Sequence, residues 1–268
     1  MPNWVINRLR IEGENAEEII KKHIIKDERG EYAFDFNTIV KMPEDLCVEK
    51  GSRTYDGLKL YIAKINPLIP NFGTMEDKLL PLNDFFKKMV TVFGYDCIDK
   101  IEKYILKPSQ IDNMKEKYKE TFDEVLKLGE KVFNNKEKYG FTDWYDWSCY
   151  NWGTKWNACN TILSDDLSEV YFDTAWSPSI PAISKLSKLH PELTITHEYA
   201  EEQTGFFSGR IIYENGEIVS NESFEEYSKE AYEMSFDLWG NDEQYVFDKE
   251  KNNYVYIDEE NDSGMEAE

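Results

Sequence analysis

From Phe141 to Ala158 the chain reads FTDWYDWSCYNWGTKWNA, and Trp144, Trp147, Trp152 and Trp156 place four indoles within thirteen residues. Each large aromatic needs apolar cover, so whatever fold forms has to close around this stretch. The rest of the chain can supply that cover. Its 268 residues are 41% hydrophobic and 15% aromatic, enough for one large domain or two smaller ones and too apolar for disorder over most of the length.

Upstream, Asn3 to Glu12 alternates Val5, Asn7, Leu9 and Ile11 with Trp4, Ile6, Arg8 and Arg10, a strand with burial on both faces. Asn15 then caps a helix predicted from Ala16 to Ile25, with Glu17 and Glu18 at its dipole-favoured start. Residues 44–81 are broken by Pro67, Pro70, Gly73 and Pro81, leaving one short helix near Leu58–Ile65. Helical spacing resumes over Leu82–Phe93, Ile98–Leu106 and one long stretch, Gln110–Tyr139.

Beyond the tryptophans, Glu169–Trp176 reads as a strand, Pro178–Leu189 as a helix, and Leu193–Ala200 and Phe206–Glu214 as further strands. Asn215-Gly216 is a two-residue hairpin signal, Phe224–Leu238 is an acidic helix, and a hairpin joins Glu243–Asp248 to Tyr254–Asp258. The order is α+β, an antiparallel sheet with helices on one face. The divisions are 1–43 for a first βα part, 44–139 for an insertion, 140–216 for the tryptophan segment and the rest of the core, 217–257 for an acidic extension, and 258–268 for a disordered tail.

Charge is distributed unevenly. The net charge is −22, and Glu192 to Glu268 holds 22 acidic residues against Arg210, Lys229, Lys249 and Lys251, a balance of −18. Phe86 to Lys138, by contrast, carries 12 lysines and 10 acids. Such a surface repels nucleic acid, whose binding requires cations that displace counterions, and attracts basic partners.

Other chemistries find little support in the spacing. The four cysteines form no CxxC pair, which fits a reducing compartment, and the three histidines (His23, His190, His197) show no metal-ligand spacing. The start MPNWVINRLR lacks a signal-peptide core and no apolar run approaches a membrane span, so a cytoplasmic protein without membrane contact is expected. Neither cofactor nor metal is expected. Gly205-Phe-Phe-Ser-Gly209 lacks phosphate-cradle spacing and reads as a bulged strand.

The segments MPNWVINRLRIEG, FDFNTIVKMP, NWGTKWNA, FDTAWSPSIPAISKLSKLHPEL and YAEEQTGFFSGRI, in this order over residues 1–213, resemble the YubB-type ferredoxin-like proteins of plasmids and phages. The resemblance implies a ferredoxin-like sheet and carriage on a mobile element. It implies no catalytic residues, the activity of that family being unassigned. The helical block at 82–139 and the acidic extension lie outside the shared segments.

Two functional expectations follow. In the first, a non-catalytic protein binds a host protein with a basic surface through Glu222, Glu225, Glu226, Glu230, Glu233, Asp237, Asp242 and Glu243. Its specific form is inhibition of a nucleic-acid-dependent defence by acidic mimicry. In the second, Trp152, Lys155, Trp156, Asn157 and Trp176 line a pocket for a small ligand or a reaction; against it stands the reading of the same aromatics as core.

Overall fold

A computed structural model describes residues 3–26, 30–66, 82–94 and 106–257. The expected helix over 98–106, the breaks at 67–81 and the tail at 258–268 lie outside the described residues, Leu106 excepted.

Strand β1 (Trp4–Glu12) leads to helix α1 (Ala16–His23) and the small hairpin β2 (Ile24–Lys26) and β3 (Tyr32–Phe34). The predicted helix thus ends two residues early, because β-branched Ile24 and Ile25 pair with Phe34 and Ala33 instead of adding a turn. Helices α2 (Ser52–Ile65), α3 (Leu82–Phe93), α4 (Pro108–Tyr118), α5 (Phe122–Tyr139) and α6 (Trp144–Asn151) follow. The single long helix predicted over 110–139 is two, parted where Lys119 adopts a φ of 30°. Then come β4 (Cys159–Leu163), β5 (Glu169–Ala175), α7 (Ile180–Leu189), β6 (Thr194–Glu201), β7 (Ser208–Glu214) and β8 (Glu217–Ser223). The chain continues through α8 (Lys229–Trp239) and the hairpin β9 (Tyr245–Asp248) and β10 (Asn253–Tyr256).

These elements form two compact units, residues 1–41 with 148–268, and residues 42–147. In the first, six antiparallel strands run in the order β4-β5-β1-β6-β7-β8. Taken along the chain, β1-α1-β4-β5-α7-β6 is the ferredoxin-like arrangement, with β7 and β8 added at the β6 edge. The sheet is α+β, as the sequence order implies. Strand β4 has no counterpart in the sequence reading, since its five residues alternate only half-buried positions.

Register explains the core. Leu9 faces Val170 on one side and His197 on the other, and Ile11 faces Ile195. Leu9, Val170, Phe172, Ile195, Ile211 and Tyr213 are all fully buried. Each such apolar side chain contributes about 1.5–3 kcal/mol of transfer free energy. The alternate residues Ile6, Tyr171 and Ala200 pack under Met234 and Leu238 of α8. The extension therefore covers the face of the sheet opposite to the Leu9 face. The Asn215-Gly216 turn is as expected, with φ of 50° and 78°, the values a tight hairpin requires.

The second unit is helical. Leu58, Ile62, Phe85, Met89, Val132 and Phe133 form one buried cluster, and Leu60, Ala63, Ile111 and Val125 another. Helices α2 and α5 cross where Gly57 meets Gly129. A Cβ on Gly129 would sit 1.9 Å from the Gly57 carbonyl oxygen, so the two backbones touch only because neither residue has a side chain.

Candidate interaction surfaces

The tryptophan segment divides into buried and open halves. Trp152 is 4% exposed, its indole N–H donates to the Val40 carbonyl at 2.9 Å, and its ring packs against Phe36 at 5.9 Å. The Asn157 carbonyl accepts from Phe36 N–H at 2.8 Å while its amide donates to Asp35 Oδ1 at 2.6 Å. Both side chains fasten the 152–158 segment to the segment after β3.

Lys155, Trp156 and Trp176 are brought together. The Lys155 ammonium lies 4.3 Å from the Trp156 ring centre and 4.6 Å from that of Trp176, cation–π distances on both sides. Trp156 and Trp176 are 39% and 48% exposed, and Trp4 lies 6.1 Å from Trp156. Trp176 also has a φ of 70°, a left-handed conformation that a bulky residue pays strain to hold. Its backbone N–H reaches the Asn3 carbonyl at 2.9 Å, and Thr154 Oγ1 donates to the Ala175 carbonyl at 3.0 Å. The end of β5 is pinned on both sides.

The acidic residues lie on β8, on α8 and in the turns on either side of α8. Glu222 stands on β8 opposite Arg210 of β7, Glu225 and Glu226 precede the α8 cap Ser228, and Glu230 and Glu233 lie on α8 itself. The helix turns Ala231, Met234, Ser235 and Leu238 inward, which leaves its glutamates in solvent. Glu222, Glu225, Glu226, Glu230 and Glu243 are exposed and form no salt bridge among the described residues. The remaining three have local partners: Glu233 pairs with Lys229 at 3.6 Å, Asp237 accepts from Arg8, and Asp242 Oδ1 accepts from Gln244 N–H at 3.0 Å.

Beneath α8 lies a buried charge cluster. Glu198 is fully buried; its Oε2 accepts from Arg8 Nε at 2.8 Å and lies 3.1 Å from Arg10 Nη1, while Oε1 accepts from Arg210 Nε at 2.9 Å. Burial alone would lower the Arg8 pKa, but bonds to Asp237, Tyr171 and Glu198 outweigh it and hold the guanidinium above its ordinary value. On the opposite face His197 is completely buried, and burial pushes its pKa down to about 3. Its Nε2–H donates to Asn7 Oδ1 at 2.9 Å, because the Asn7 amide already donates to Thr174 Oγ1 at 2.8 Å. Strand alternation places Glu198 opposite to His197, as the sequence implies. It does not reveal that β1 and β7 bring three arginines to one carboxylate.

In the helical unit a hollow of about 580 Å³ has Leu58, Phe93 and Val132 at its base. The polar groups on its rim are engaged locally: Lys50 Nζ donates to Asp146 at 2.6 Å, and Lys136 Nζ to the Gly140 carbonyl at 2.6 Å. Among the described residues no helix is long and apolar enough to cross a membrane.

The family model described as the ferredoxin-like domain in Api92-like protein matches residues 151–242. This stretch is ferredoxin-like. It runs from the end of the tryptophan segment through β4, β5, α7, β6, β7 and β8 to α8. The match thus takes in the greater part of the acidic extension, which the sequence resemblance leaves outside the shared segments. Among solved structures the chain is similar to the protein Api92 from Yersinia pseudotuberculosis, at 16% identity and a TM-score of 0.39, over 84% of this chain and 99% of that one. No curated protein matches the chain.

Proposed function

We propose that the protein is a non-catalytic binding protein whose working surface is the acidic surface presented by β8, α8 and the turns on either side of α8. The observation that carries this reading is the set of five exposed carboxylates without an ion pair: Glu222 on β8, Glu230 on α8, Glu225 and Glu226 in the turn that the Ser228 N–H closes on the Glu225 carbonyl, and Glu243 in the turn after α8. Carboxylates fixed in position present a field of constant shape. A basic protein surface meets it with fast, salt-sensitive association. In its specific form the face stands in for nucleic acid in the basic groove of a host protein, and the chain is the product of a phage or plasmid that blocks a nucleic-acid-dependent defence.

Because α8 covers one face of the sheet, deleting the extension would expose core. The sound test keeps the fold and changes charge only. Replacing the five glutamates with glutamine and titrating a basic, nucleic-acid-binding host protein should show binding that weakens with salt in the parent and is lost in the variant. Equal affinity for both proteins would refute the proposal.

A second reading is favoured by strained, half-exposed Trp176 beside Lys155 and Trp156, since strain of this kind collects at ligand sites. Here a flat ligand stacks on the indoles and displaces the lysine. A thermal-shift screen against nucleotides and sugars tests it, because a ligand at about 100 times its Kd stabilises by about 2.7 kcal/mol. A flat screen would remove this reading.

A further inference from the structure

His23 and His190 are far apart in the sequence but adjacent in the fold. Their Nε2 atoms are 3.3 Å apart and their rings meet edge-on at 5.5 Å between centroids. Neighbouring groups assign the protons. Thr38 Oγ1 donates its one hydrogen to the Asp35 carbonyl at 2.6 Å, so toward His23 Nδ1, at 2.8 Å, it must accept. His23 is therefore the Nδ1–H tautomer, and its Nε2 lone pair points at His190. On the far side of His190, Nδ1 lies 3.6 Å from a Glu192 carboxylate oxygen.

Two imidazole nitrogens thus converge while the outer nitrogen of each ring has an oxygen beside it, the arrangement that orients metal-ligating histidines. The spacing also fits. Two nitrogens bound tetrahedrally to zinc at about 2.0–2.1 Å each stand about 3.3–3.4 Å apart. His23 is 5% exposed, whereas the His190 side chain is 18% exposed and gives an ion a way in.

We propose that His23 Nε2 and His190 Nε2 form a binding site for a divalent transition-metal ion of the zinc class, which takes the place of the proton shared between the rings. On binding, the His190 proton passes from Nε2 to Nδ1, beside the Glu192 carboxylate, and two nitrogen–metal bonds form. Water fills the other positions, because among the described residues no group of three His, Cys, Asp or Glu side chains could hold a metal. The bound ion ties the end of α1 to the end of α7.

Calorimetric titration of the full chain with Zn²⁺ near neutral pH, in two buffers of different ionisation heat, tests the site. The expected result is one saturable site per chain whose heat is the same in both buffers, since the His190 proton stays on the ring, and which weakens at least about tenfold in both His190→Gln and His23→Gln. His190 follows the last residue of α7 and is partly exposed, so His190→Gln keeps the test open should His23→Gln fail to fold. Two results would overturn the proposal: no saturable binding, or binding unchanged in His190→Gln, which would place the ion on surface carboxylates.

Discussion

The two units differ most in how they handle charge. Residues 42–147 carry 19 acidic and 17 basic side chains, a balance of −2, whereas the sheet unit carries 34 acidic and 14 basic, a balance of −20. In the helical unit opposite charges meet at the surface, as in Lys50 with Asp146 and Lys117 with Asp56 at 2.7 Å. In the sheet unit, three of the cations converge on one buried carboxylate, Glu198, while five exposed acids of the extension form no ion pair among the described residues. Neutral packing holds the first arrangement together. The second commits three arginines, one of them buried, to a single buried carboxylate and turns many of its anions outward, as the proposed surface requires.

The largest expected effect follows from breaking the buried cluster. Glu198→Gln leaves Arg8 buried beside a neutral amide and should cost about 3–5 kcal/mol. Amide exchange should quicken in β1, β6 and β7 and stay unchanged in α2 and α5; equal loss in both units would contradict their separation.

Gly129→Ala probes the other side of the comparison. Its Cβ must push the Gly57 backbone away, so a loss of about 1–3 kcal/mol is expected, read as faster exchange in α2 and α5 with β1 and β6 unaffected.

Acid should weaken the sheet unit through His197. With its pKa held near 3, the residue is neutral in the fold, while the unfolded chain protonates near pH 6.5. Its contribution is therefore full above about pH 6.5 and is lost as pH falls toward about 3, by up to about 1.4 kcal/mol per pH unit. His197→Gln, which keeps a donor for Asn7, should flatten the dependence of stability on pH between about 6 and 4. An unchanged slope would show that other groups set it.

Much of the sheet is legible in the sequence because its signals are local. Alternation in β1 and β6 and the Asn215-Gly216 turn each specify structure within a few residues, and the proline-started helix read over Pro178–Leu189 forms as α7 from Ile180. What escapes is what depends on tertiary partners. Strand β4 is recognisable only through its pairing with β5, and the break at Lys119 interrupts an unbroken helical pattern. At the candidate site, the acids are visible as composition, but the commitment of Asp237 to Arg8 is not. The tryptophan segment reads as one feature and divides in two, since Trp152 and Asn157 find partners in the chain after β3 that no spacing rule connects to them.

The smallest effect on stability and the largest on function should come from the same change. Substituting Glu222, Glu225, Glu226, Glu230 and Glu243 with glutamine removes exposed, unpaired charges and should shift stability by no more than about 0.5 kcal/mol per site. The decisive measurement is affinity for a basic host protein across a salt series, for the parent and this variant. Parent affinity should decline steeply with salt, and the variant should bind weakly with a shallow salt dependence. Parallel salt curves of equal affinity would contradict the proposal.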